Sequence, residues 1–153
     1  MNKVIICILS FFLIFLFSCA YEPILNNKNY LFSINVNKTN GNEQVNSIII
    51  NKFNSLKKNE KKYDLTLLSS YEKNIISKDN KGDPSVFELI INVEYSFQNY
   101  QGNLIKKNII KKSTYNNISD KFELENYEKN IVKNLSTNIY NKIINSISEI
   151  NDN

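Results

Sequence analysis

Apolar and polar residues alternate from Tyr30. Tyr30, Phe32, Ile34 and Val36 fall on one side and Ser33, Asn35 and Asn37 on the other, which predicts a first strand. Thr39-Asn40-Gly41-Asn42 breaks the alternation. Val45, Ile48, Ile49, Phe53 and Leu56 then recur at three- and four-residue intervals, predicting a helix that runs up to Lys58. Asn40 and Glu43, three apart, are the candidate capping box at its start. Tyr63, Leu65, Leu67 and Tyr71 alternate with Asp64, Thr66 and Ser70, a second strand running towards Ser77. Lys78 to Pro84, with Gly82 inside, reads as a turn. The cleanest period of two follows, with Phe87, Leu89, Ile91, Val93, Tyr95 and Phe97 opposed to Glu88, Asn92, Glu94, Ser96 and Gln98. Gln101-Gly102-Asn103 signals a hairpin, and Leu104 to Tyr115 returns as a fourth strand. Ser119 or Asp120 caps a long final helix, striped by Leu124, Tyr127, Ile131, Leu135, Ile139, Ile143, Ile147 and Ile150.

The order is therefore β-α-β-β-β-α. A strand, helix, strand opening favours a right-handed parallel crossover, and the short later turns favour an antiparallel meander. Each helix has one apolar face, so the expected fold class is α+β. It is a two-layer sandwich in which two helices cover one face of a mixed four-stranded β-sheet and leave the other face polar. The order of strands within the sheet stays open at this point.

The pattern changes character at the amino terminus. A lone Lys3 precedes an apolar run from Val4 to Phe17, and Leu16-Phe17-Ser18-Cys19 follows the pattern of a lipoprotein export signal. The run is shorter than the roughly 20 residues that a hydrocarbon core of about 30 Å requires, so cleavage fits better than a retained membrane helix. Residues 1–18 are read as the signal peptide, with Cys19 as the acylated first residue of the mature chain. Each buried methylene of its lipid contributes about 0.8 kcal/mol to membrane attachment. Residues 19–29, with Pro23 and the adjacent Asn26 and Asn27, read as an extended tether, and residues 30–153 as one α+β domain. Ala20, rather than Asp, follows the lipidated position, so the expected location is the periplasmic face of the outer membrane, held there by the lipid.

Cysteine usage and charge narrow the function classes. Cys7 leaves with the signal and Cys19 carries lipid, so no disulfide can form and stability has to come from the core. The net charge is +4, falling to +3 without Lys3, and is carried by lysine alone. The absence of arginine, whose planar fork reads phosphates and bases, together with export, argues against a nucleic-acid partner. There is also no histidine, no tryptophan and no glycine-rich phosphate loop. Thiol and histidine chemistry and the usual zinc sites are excluded, no metal or cofactor beyond the covalent lipid is expected, and no catalytic residue is assigned. Glu88 and Glu94 share a strand face six residues apart, too far to work as an acid and base pair. Asn37, Asn117 and Asn134 open Asn-x-Ser/Thr triplets, which an asparagine-rich bacterial chain produces by chance.

Three stretches carry a family resemblance. Cys19-Ala20-Tyr21-Glu22-Pro23-Ile24-Leu25, Ser113-Thr114-Tyr115-Asn116, and Glu128-Lys129-Asn130 with Leu135-Ser136 and Ile139 resemble the opening, the fourth-strand end and the last helix of the LptE family. These are outer-membrane lipoproteins that work with the LptD β-barrel. Leu25 stands where those proteins have an aromatic residue, and their arginines and alanine-rich helix are missing here. The resemblance implies a non-enzymatic plug in the polar lumen of a large outer-membrane β-barrel, assisting lipopolysaccharide assembly. It also implies lipopolysaccharide as a ligand, for whose phosphates Lys106, Lys107, Lys111 and Lys112 are the candidate contacts. The simpler reading is that alternate lysines decorate a solvated edge strand and blunt it against aggregation. Two other classes remain open on sequence alone: a generic periplasmic binding module, such as an activator of a cell-wall enzyme, and an enzyme.

Overall fold

A computed structural model describes residues 30–56, 59, 61–99 and 101–151. The signal peptide, Cys19 and the tether lie outside them. Six elements follow in the expected order: β1 (Phe32–Gly41), α1 (Glu43–Asn54), β2 (Lys61–Lys78), β3 (Pro84–Gln98), β4 (Leu104–Asn116) and α2 (Lys121–Asn151). The sheet order is β1-β2-β3-β4. β1 and β2 are parallel, joined through α1, whereas β2, β3 and β4 form an antiparallel meander.

Register turns the alternation into two faces. Val36, Leu65, Phe97 and Ile105 lie in one rung, and Leu67, Tyr95 and Lys107 in the next rung of that face. Both helices close over this side: Val45, Ile49 and Phe53 of α1 and Ile139, Ile143, Ile144 and Ile147 of α2 join the strand residues in a single buried core. A ring row, Tyr30, Phe32, Tyr63, Phe97 and Tyr95, crosses β1 to β3 with successive centroids 5.5, 5.5, 5.7 and 6.3 Å apart. Each such pair contributes about 1 kcal/mol beyond its buried area, which serves a core without crosslinks. The opposite face carries no helix. It is polar in the main, as expected, but Leu68, Leu104 and Ile110 interrupt it, 46%, 59% and 59% exposed.

Three local expectations need correction. The cap of α1 is Asn42, whose Oδ1 accepts from the Val45 amide at 3.0 Å, and not Asn40, whose Oδ1 accepts from the Gly41 amide at 2.8 Å. Gly41, at φ 93°, still belongs to β1 and turns the chain by itself, so the helix cannot start before it. α1 also stops at Asn54 rather than at Lys58. The Ser55 hydroxyl there donates to the Lys52 carbonyl at 2.7 Å, the local competition with helix bonding that makes serine a poor continuation. Tyr127 leaves the α2 stripe and stands 46% exposed, because the face turned to the sheet is centred one residue on, at Ile131, Val132, Leu135 and Ser136. Of the two proposed caps for α2, Asp120 serves: its Oδ1 accepts from the Phe122 and Glu123 amides at 2.8 and 3.0 Å.

Ser136 is fully buried and its Oγ has no hydrogen-bond partner. Leaving a hydroxyl unsatisfied costs about 1–3 kcal/mol, and alanine removes the group with little loss of packing. Ser136→Ala therefore raises stability by about 1 kcal/mol, read as an increased urea midpoint. An unchanged or lower midpoint would mean that the hydroxyl has a partner in solution.

Candidate functional site: the lysine-bearing edge strand and its groove

β4 is an edge strand, so its side chains alternate between the helix side and the open side with no further strand beyond them. This parity divides the four candidate lysines. Lys107 and Lys111 stand opposite Tyr95 and Ile91 of β3, on the face that the helices cover. Lys106 and Lys112 stand opposite Ser96 and Ile90, on the open face. One ligand contacting a single face cannot meet all four. Lys112 is further committed by an ion pair with Glu88 at 3.2 Å, which also settles the place of that carboxylate. Glu94 is six residues away from Glu88 along the same strand, about 20 Å at the rise of a strand, so no acid and base pair forms.

Lys107 is the lysine that the fold gives a setting. Its Nζ donates to the Ser146 hydroxyl on α2, at the wall of an open groove of about 350 Å³ between β4 and the helix. Tyr95, Lys107, Lys142, Asn145, Ser146 and Glu149 line this groove. Burial pushes the Tyr95 phenol above its usual range, and the Glu149 charge adds to the rise against a hydrogen bond from Ser146. With Asn108 and Ile109 completing the wall, the groove presents a neutral phenol, two lysines, two asparagines, a hydroxyl, a carboxylate and one apolar side chain. Such a set binds an anionic or polyhydroxylated group by charge and hydrogen bonds. Among the described residues no group of acidic, histidine or cysteine side chains is placed to bind a metal. Lys142, Asn145 and Glu149 were missed in the sequence. Their signal was present: spaced three and four apart, they flank the stripe formed by Ile139, Ile143 and Ile147.

Besides its buried stripe, α2 is tied to the sheet by polar contacts at the end away from the groove. Glu128 Oε1 accepts from Lys73 Nζ on β2 and from the Tyr115 hydroxyl on β4, each at 2.6 Å. Lys73 also lies over the Phe87 ring, 4.4 Å from its centroid, and Phe87 stacks on Tyr115. Desolvation raises the Tyr115 phenol far above its usual range, and the adjacent Glu128 carboxylate raises it further. Tyr115 and Glu128 come from two of the stretches that carry the family resemblance, and the fold brings them into contact.

No protein-family model matches this chain, and no curated protein matches it in sequence. Solved structures do match in shape. Rare lipoprotein B from Shewanella oneidensis superposes with a TM-score of 0.59 at 16% identity, covering 74% of this chain and 95% of its own. Lipoprotein B from Nitrosomonas europaea gives a TM-score of 0.56 at 10% identity, covering 82% and 91%. Among the described residues no helix is long and apolar enough to cross a membrane. The α+β arrangement of one parallel crossover, a three-strand meander and two helices on one face is therefore the fold that this chain shares with rare lipoprotein B.

Proposed function

We propose that this protein is a lipid-anchored outer-membrane lipoprotein of the LptE kind, a non-enzymatic accessory seated in a large LptD-like β-barrel during lipopolysaccharide assembly. The observation that carries this reading is the match to the lipoprotein B fold over more than nine-tenths of those chains, and the Leu16-Phe17-Ser18-Cys19 stretch, read as a lipoprotein export signal, agrees with it. The helix-free and mainly polar sheet face supports it too, because a wide barrel lumen is lined by polar groups. Gentle solubilisation of outer membranes and affinity purification of the protein should recover one large barrel in equal amount. Recovery of a soluble partner and no barrel would refute the assignment. Cys19→Ala should abolish fatty-acid labelling and release the protein from the membrane fraction, and labelling of that variant would place the anchor elsewhere.

Within this reading, the candidate contacts to lipopolysaccharide phosphates narrow from Lys106, Lys107, Lys111 and Lys112 to the two on the helix-covered face, Lys107 and Lys111, and the groove gives Lys107 and Lys142 the leading part. An exposed ammonium contributes at most about 1 kcal/mol to such a contact, so Lys107→Gln and Lys142→Gln should each weaken lipopolysaccharide binding by roughly fivefold. Lys112→Gln, whose lysine is occupied by Glu88, serves as the comparison and should change binding little. Equal losses from all three variants would show a diffuse charge effect in place of a groove.

A further inference from the structure

We draw no further inference here: the strongest candidate, the surface patch at the hairpin end of the sheet where Ile75 and Ile76 stand exposed beside the stretch of β2 that β1 leaves uncovered beyond Ser69, carries nothing because nothing in the structure shows what covers it.

Discussion

Gly41→Ala is expected to destabilise the domain by about 4 kcal/mol, a loss reserved for backbone strain combined with a clash. Gly41 has φ 93°, where an L side chain is strained, and a Cβ added there would lie 1.7 Å from the Ser69 carbonyl oxygen. That oxygen cannot easily move. It accepts from the Asn42 amide at 3.2 Å, and the Ser69 hydroxyl donates back to the Asn42 carbonyl at 3.2 Å. These two bonds tie the end of β1 and the start of α1 to β2, so the strain falls on the junction of the three. Gly82→Ala is the matched control: φ is 89°, but nothing lies within 4 Å of the added Cβ. It should cost only about 1 kcal/mol, the conformational part alone. Urea unfolding of both variants reads the difference, and equal losses would show that the close approach to Ser69 does not constrain the fold.

The second large effect is expected at Glu128. Its side chain is 16% exposed and that of Lys73 33% exposed, so the pair is half-desolvated and worth less than a fully buried one. Glu128→Ala strands the Lys73 ammonium and leaves the buried Tyr115 hydroxyl without its acceptor, and the combined loss should be about 3 kcal/mol. Glu128→Gln keeps the volume and an acceptor and should lose about half as much. Combining Glu128→Ala with Tyr115→Phe should reveal a coupling of about 1 kcal/mol, because each change alone removes the hydrogen bond that the two groups share. A loss below about 0.5 kcal/mol for Glu128→Ala would remove this contact as the fastener of α2.

The raised Tyr115 phenol adds a pH signature to the same contact. In the unfolded chain a tyrosine ionises near pH 10, whereas in the folded protein burial and the Glu128 charge keep Tyr115 protonated well beyond that. The folded state then binds the extra proton, so its stability is complete below about pH 10 and declines as the pH rises above it. Tyr115→Phe should make that alkaline decline shallower in urea unfolding followed against pH, other raised phenols, among them Tyr71, Tyr95 and Tyr140, accounting for the part that remains.

The elements were legible because each one buries a single face. The alternation from Phe87 to Phe97 and the α2 stripe from Ile131 to Ile147 appear in the structure at the same residues, since period and burial are one physical fact. The candidate site was legible only in part. Four lysines at near-adjacent positions read as one patch along the chain, yet strand parity sends Lys107 and Lys111 to one side and Lys106 and Lys112 to the other. Lys142 and Glu149 could not be joined to Lys107 from spacing, because the groove exists only where α2 lies along the edge of β4.

The sequence alone determined the succession of strands and helices, the face each one buries, the reliance on a core without disulfides, and the lipoprotein reading of the amino terminus. These follow from local periods and from residue types, which act over a few positions. Only the tertiary structure decided the strand order, the partner of Glu128 and the groove in which Lys107 meets Lys142. Those depend on which distant segments meet, and long-range register is set by the packing of whole faces against one another, which no short stretch of chain encodes.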